Sequence, residues 1–228
     1  MTKNICVITA RGGSKGIPKK NIIKICDKPL LHYSLETSFR ADIYEDIIVS
    51  SDDNEILDCA KSFSKDVICV KRPDNLSGDI IMPDHAVVHA IEQYKEIKGY
   101  EPENTTFLHP TSPIRRVEDL IGCVKTLDDP YFNSCLSVHK THFFDWRLSE
   151  DKKSYLPCYG ENRPRRQEYT QYVENGSIFV TRTKHFLKNK NRLAKPIKIF
   201  EIPYTCSFQL DDEQDLIILE SLISKNLV

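Results

Sequence analysis

Residues 4–21 read NICVITARGGSKGIPKKN, an apolar run that breaks abruptly into a glycine-rich, strongly cationic loop. The run Ile5–Ala10 carries no charge, which predicts a buried strand of the kind found in parallel sheets. The loop then brings Gly12, Gly13 and Gly16 to the end of that strand, together with Arg11, Ser14, Lys15, Lys19, Lys20 and Asn21. Glycines let backbone N–H groups come close to an anion and the cations offset its charge, so the composition points to a polyphosphate site. The plain alternative is a solvated basic turn.

Two familiar phosphate-binding patterns are excluded. No Gly-Lys-Ser/Thr follows four residues after a first glycine, so the loop is not a Walker A sequence. In a G-x-G-x-x-G register Arg11 would stand where the dinucleotide fingerprint needs its first glycine. An arginine there obstructs the tight turn, but its guanidinium fork can grip the outer phosphates of a triphosphate.

Outward from this stretch, short β-rich runs alternate with helical patterns. Leu30–Phe39, Asn54–Phe63 and Asp84–Ile97 read as helices between the runs Asp46–Ser50, Val67–Val70 and Thr105–His109. Leu120–Leu127 and Ser134–Val138 continue the series, and Ile197–Ile202 with Asp211–Ser224 closes it. The alternation predicts an α/β fold, a mostly parallel sheet with crossover helices, in one domain spanning residues 1–228. Between Lys140 and Glu174 the pattern fails, and Phe143, Phe144, Trp146, Tyr155, Tyr159, Tyr169 and Tyr172 mix with charges and prolines. That segment reads either as an excursion whose aromatics seek a partner surface or as a satellite core folded back on itself.

Composition bounds the function. The 228 residues are 40% hydrophobic, enough for one sizeable core, and 32 basic against 33 acidic residues leave a formal charge of −1. No global field recruits nucleic acid, so any basic site is local. Eight cysteines occur without a C-x-x-C pair and read as reduced thiols of a cytoplasmic protein. The N-terminus does not resemble a signal peptide, and no stretch approaches the roughly 18 apolar residues of a membrane span.

In open α/β sheets ligands bind beyond the carboxyl ends of the strands, where Arg11–Asn21, Ser50–Asp53, His109–Arg116 and Gln209–Asp212 all fall. His85 and His89 have metal-ligand spacing on a predicted helix, but no glutamate follows His85 and no third ligand is evident, so zinc is discarded. Ser112 lacks a G-x-S-x-G elbow and reads as a turn or substrate-binding hydroxyl rather than a nucleophile.

The loop ARGGSKGIPKKN, followed in order by LHPTSPIRR at 108–116, RPRRQEYTQYVENGSIFV at 163–180 and SFQLDDEQDL at 207–216, resembles the acylneuraminate cytidylyltransferase family over nearly the whole chain. These enzymes make CMP-activated sialic and related nonulosonic acids. The resemblance implies a three-layer, Rossmann-like nucleotidyltransferase sheet with a small protruding dimerisation arm at 140–174, and a homodimer. It implies CTP and a nonulosonic acid as partners, with neither nucleic acid nor membrane. The anomeric hydroxyl would attack the α-phosphate of CTP, so catalysis is mainly positioning and charge neutralisation.

Residue by residue, it implies that Arg11, Gly12, Gly13, Ser14, Lys15 and Lys20 hold the triphosphate. Lys20, with Arg11 and Asp211, is the expected catalytic centre, Lys20 neutralising charge at the α-phosphate. Asn21 would meet the nucleoside and Arg72, in RPDNLSGD, would donate to the cytosine; a surface ion pair is the alternative for Arg72. His109, Thr111, Ser112, Arg166, Gln167 and Asn175 fall on the sugar side, although RPRR also suits a solvated basic face. Arg147 lies near where the arm of such enzymes offers a basic residue across the dimer. Asp211 is the expected ligand of Mg2+, with Asp212 and Asp215 as either helpers or ordinary helix-capping acids.

Two positions depart from the family pattern: Gln209 stands where many members carry the first aspartate of Asp-x-Asp, and His109 replaces the glutamine of QPTSP. A nucleotide-sugar-dependent glycosyltransferase would carry its acidic pair mid-chain and need no basic glycine loop. A catalytically dead nucleotide-binding module would be expected to lose Lys20 or Asp211, and both are kept. Which acid is used, among N-acetylneuraminic, legionaminic, pseudaminic and others, stays open, because one acyl change alters binding only modestly.

Overall fold

The computed structural model describes residues 3–13, 16–78 and 80–225. Ser14 and Lys15, both assigned to the phosphates, lie outside the described residues.

In chain order the strands are β1 (Asn4–Thr9), β2 (Lys24–Ile25), β3 (Lys28–Pro29), β4 (Asp46–Ser51), β5 (Ile68–Lys71), β6 (Asn104–Leu108), β7 (Ser134–Thr141), β8 (Trp146–Leu148), β9 (Tyr155–Pro157), β10 (Gln171–Arg182) and β11 (Ile197–Glu201). The helices are α1 (Leu30–Ala41), α2 (Asn54–Phe63), α3 (Pro83–Lys98), α4 (Val117–Lys125), α5 (Thr183–Asn189) and α6 (Glu213–Ser224). Seven strands form one sheet in the order β11-β7-β10-β6-β1-β4-β5. Among them β10 alone runs antiparallel to its neighbours, β6 and β7.

Every residue of β1 is buried, and its side chains serve the two faces in alternation. Cys6 and Ile8 pack with Leu31 and Leu35 of α1, Ile56 of α2 and Leu120 of α4. Ile5 and Val7 pack on the other face with Val87 and Ile91 of α3 and with Phe186 of α5. A strand covered on both sides has no polar face, which is why the opening run shows no period-2 pattern. A third cluster, including Ile25, Leu30, Ile114, Leu210 and Leu219, seats α6 beneath the loop after β1.

Helix limits follow local chemistry. Asp53 caps α2 by accepting from the Glu55 N–H at 2.8 Å, and Gly99, at φ 82, ends α3 in the left-handed region. The predicted helices and strands recur within a few residues, but two elements between 170 and 190 differ from expectation. The block VENGSIFV, read for its ligand chemistry, lies in the long strand β10, and α5 follows it directly. Gly176, at φ 66, falls where the β10 register shifts against β7 between Glu174 and Phe179, so the strand's hydrophobic pattern is interrupted midway.

Residues 142–170 leave the sheet. β8 and β9 pair only with each other, as a hairpin. Phe144, Tyr159 and Tyr169 pack together, with Phe144 stacked on Tyr169 at 5.0 Å and Arg163 over the Phe144 ring at 4.2 Å. Phe143, Trp146, Tyr155 and Tyr172 remain exposed. An inner group of half-buried rings thus packs on itself, as the satellite reading expects, while an outer group faces solvent. The eight cysteines are free thiols. Among the described residues no helix is long and apolar enough to cross a membrane.

Candidate active site

From β1 the chain goes to β4 and β5 on one side of the sheet, then returns to β6 on the other. Connections that depart in opposite directions open a crevice at the carboxyl ends of the two strands. A cavity of about 410 Å³ lies there, lined by Arg11, Gly16, Lys20 and Asn21 after β1, by Arg72 and Ser77 after β5, and by His109, Pro110 and Thr111 after β6. Segments singled out at separate points of the sequence thus share one wall.

The loop after β1 is held by its neighbours. Gly12 N–H donates to Asp52 Oδ1 at 3.1 Å, and the buried Asn21 amide donates to the Arg11 carbonyl at 2.9 Å. A Cβ on Gly12 would stand 2.7 Å from the Asp53 carboxylate, and one on Gly16 would stand 2.9 Å from the Asp211 carbonyl. Glycine at 12 and 16 is therefore demanded by close approach, whereas a side chain at Gly13 would meet open space. Lys19 turns aside to pair with Glu55 at 2.5 Å, and Lys20 extends its ammonium to Asp211 Oδ1 at 3.0 Å.

Arg72 combines the two readings given for it. It is ion-paired, Nη2 donating to Asp52 Oδ1 at 3.1 Å, but the pair is no surface contact, because Arg72 is buried and Nε donates to Ser77 Oγ at 3.0 Å. Burial lowers its pKa, and the Asp52 partnership opposes that shift. Asp52 accepts from both Gly12 and Arg72, tying the loop after β1 to the wall that follows β5.

After β6, His109 and Thr111 face the cavity, and the Thr111 carbonyl accepts from the Leu210 N–H at 2.8 Å. Ser112 is fully buried and its hydroxyl has no partner, so it belongs to the turn and not to the exposed wall. Arg115 is buried beneath that turn and donates to the carbonyls of His109 at 3.2 Å and Ser177 at 2.9 Å. Burial pulls its pKa down to about 10, which leaves it protonated. His109 Nε2 lies 3.1 Å from Arg192 Nη1, and Arg192 is clamped by Asp84 at 2.5 Å. Burial first, then the charges of Arg192 and Arg115, push the His109 pKa down to about 3.

The remaining expected residues divide. Asn175 is buried, accepting from Ser137 Oγ at 2.6 Å and from the Ser177 N–H at 3.2 Å. Gln209 donates to the Asn175 carbonyl at 2.6 Å, turned toward β10. Arg166 and Gln167 are exposed on a single turn of 3-10 helix, Arg166–Glu168, and the cavity wall is built without them. Asp212 and Asp215 form a capping box at the start of α6, so both satisfy backbone N–H groups, as the capping reading expects. Asp211 is left out of that box and presents its carboxylate, 72% exposed, beside Lys20.

Among the described residues no cluster of three or more His, Cys, Asp or Glu side chains is disposed to hold a metal ion. One solvent-exposed carboxylate at the cavity mouth, Asp211 with Lys20 as its partner, still fits the way Mg2+ is commonly held, by one or two carboxylates, phosphate oxygens and water.

Two residues of this site, Asp84 and Arg192, escaped sequence reading, and two more, Asp52 and Arg115, fell inside the singled-out segments Ser50–Asp53 and His109–Arg116 without a role of their own. Arg115 lay inside a quoted block, LHPTSPIRR, where its position after the turn was the available signal. Arg192, in NRLA, offered none, because its partners are 108 and 83 positions away.

Residues 5–120 match the sequence profile described as Cytidylyltransferase. The chain is 28% identical over 218 residues to the N-acylneuraminate cytidylyltransferase of Escherichia coli, covering 94% of this chain but only half, 50%, of that one. It is 28% identical over 228 residues to the pseudaminic acid cytidylyltransferase of Campylobacter jejuni, covering 98% and 97% of the two chains. Among solved structures, CMP:2-keto-3-deoxy-manno-octonic acid synthetase complexed with CTP superposes with a TM-score of 0.71 at 18% identity, over 99% of this chain and 100% of that one. At that identity the likeness concerns the fold.

Proposed function

Since the chain belongs to the cytidylyltransferase family, we propose that it activates a nonulosonic acid with CTP, releasing pyrophosphate and the CMP-sugar. The observation that carries this reading is the convergence of Arg11, Lys20, Asn21 and Arg72 on one cavity at the switch point of the sheet. Family relatives that act on N-acylneuraminate and on pseudaminic acid support the sugar class.

The anomeric hydroxyl of the acid attacks the α-phosphorus and gives up its proton to solvent, and the bond from the α-phosphorus to the oxygen bridging the α- and β-phosphates breaks as pyrophosphate leaves. The protein's part is to align the two oxygens and to balance charge as it builds on the phosphate. Arg11 and backbone N–H groups of the loop hold the outer phosphates. Lys20 moves from Asp211 to the α-phosphate, an exchange that its ion pair permits because Asp211 is largely solvated. Asn21 spends its N–H on the Arg11 carbonyl and offers its Oδ1 to the nucleoside. Arg72, held by Asp52 and Ser77, faces the base. Asp211 would hold Mg2+, which supplies charge neutralisation to the triphosphate when bound.

Asn175 and Gln209 shape the sugar side through the backbone of β10, while Thr111 and His109 present their side chains to it. Arg166 and Gln167 complete this side through association of two chains along the exposed aromatic face of the β8–β9 hairpin. The free cysteines agree with a cytoplasmic setting.

The test is magnesium-dependent pyrophosphate release from each of the four nucleoside triphosphates with a panel of nonulosonic acids. Turnover with CTP and one acid is expected; release with UTP or with a neutral sugar, and none with any acid, would overturn the reading.

A further inference from the structure

His109 borders the cavity, and its Nε2 is engaged by Arg192 Nη1 at 3.1 Å. A guanidinium has donors only, so Nε2 must accept, and a neutral imidazole that accepts at Nε2 carries its proton on Nδ1. Arg192 cannot swing away easily. Asp84 accepts from its Nη2 at 2.5 Å, from its Nε at 3.1 Å and from its backbone N–H at 2.7 Å. The guanidinium also lies over the rings of Phe107 and Phe179, at 4.7 and 4.8 Å. The ring is thus held from beyond the cavity by an ion pair between the first turn of α3 and the segment after α5.

We propose that the Asp84 and Arg192 pair positions His109 as a fixed Nδ1–H donor, and that this donor selects an acceptor oxygen, carbonyl or carboxylate, on the sugar acid. The proposal rests on the nonulosonate reading above and deepens it. A glutamine in this place could present either end of its amide to a ligand. A histidine whose Nε2 is committed can present only an N–H, so the chain favours acids with an acceptor at that position and penalises those with a donor there, whose buried polar group would be left unpaired. The cations Arg11 and Lys20 meet the phosphates; a neutral ring adds no charge there and suits the sugar. Arg192 and Asp84 are positioning residues, since they reach the ligand only through His109.

The groups that set the ring's protonation are Arg192 and Arg115, which oppose a positive imidazole, and Asp84 and Asp211, which favour one. Nuclear magnetic resonance of the 15N-histidine-labelled chain, with His109→Gln to assign the signal, reads the tautomer without any substrate. The expected result is an Nδ1–H ring that does not titrate between pH 5 and 8. In Arg192→Met the ring is expected to lose its single tautomer and to titrate in that range. Because this variant strands the Asp84 carboxylate, the double variant Asp84→Asn/Arg192→Met, which removes both charges, serves as the folded comparison.

Steady-state kinetics supply the second arm. The double variant should raise KM for the sugar acid about tenfold while KM for CTP stays within about twofold, and Arg192→Lys should recover part of the loss. An Nε2–H tautomer, a wild-type ring that titrates near its ordinary value, or equal losses for both substrates would overturn the proposal. A chain that turns over no CTP and acid pair would sink the functional reading instead, and the tautomer would still be decided by the spectrum.

Discussion

Two of the ion pairs around the cavity are built for opposite purposes. Lys20 and Asp211 meet at 3.0 Å at its mouth, with Asp211 72% exposed. Asp84 and Arg192 meet at 2.5 Å behind its wall, with side chains 5% and 13% exposed. A solvated pair is worth little and is readily exchanged for a ligand, whereas a buried pair is costly to assemble and more costly to break on one side. The Lys20 side of the cavity is therefore able to change partners, and the His109 side is held as a rigid mould.

The strongest way to break this contrast is at the mouth. Lys20→Ala should lower kcat/KM for pyrophosphate release by a factor on the order of 10² to 10³, yet change the unfolding free energy by less than about 1 kcal/mol. Urea denaturation alongside kinetics checks it, and a large stability loss would show Lys20 to be structural. At the other pair the ranking reverses in stability: Arg192→Met should cost about 3 kcal/mol by leaving a buried carboxylate unpaired, and most of that should return when Asp84→Asn is added.

Acid sharpens the contrast next. The folded His109 pKa, about 3, lies below the unfolded value of about 6.5, so the unfolded chain binds the extra proton between them. Stability from this group is complete above about pH 6.5 and is lost as pH falls toward the folded value, with a slope of up to about 1.4 kcal/mol per pH unit. Asp84 acts in the same direction at lower pH. Burial raises its pKa, but the hydrogen bonds and charge of Arg192 outweigh burial and hold it below the usual range. Chemical denaturation at pH 4, 5 and 6 should show the slope in the wild type and a shallower one in His109→Gln.

The smallest expected effect separates two adjacent acids. Asp212→Ala removes the N-cap of α6 and should cost about 1 kcal/mol of stability with kcat near wild type. Asp211→Ala should do the reverse, and a comparison of their melting temperatures and turnover settles the assignment.

How far the sequence could be read follows from the range of the forces involved. The strand β1 and the limits of α2 were legible because they rest on local signals, an unbroken apolar run and a cap at Asp53. The basic loop was legible for the same reason, since its glycines and lysines are contiguous. β10 was not, because the register shift at Gly176 interrupts its hydrophobic pattern. Within the site, Asp52, Asp84, Arg115 and Arg192 act through contacts that join distant segments, so their partners could not be read locally even where, as for Asp52 and Arg115, the segment itself stood out. Ser112 looked available from its TSP context but is enclosed by the turn that contains it, and Arg166 and Gln167 lie on an exposed turn apart from the cavity wall of their own chain.

The loop at Gly16 and the segment at Asp211 touch so closely that no methyl group fits between them. This contact has a consequence for timing during synthesis. A growing chain could fold the sheet around β1 as each helix emerges, but Lys20 would face open solvent until Asp211 had cleared the ribosome. The Lys20–Asp211 pair is thereby made only after the sheet strands have emerged, and a product truncated before Asp211 would keep much of the sheet and the basic loop while lacking the carboxylate that pairs with Lys20.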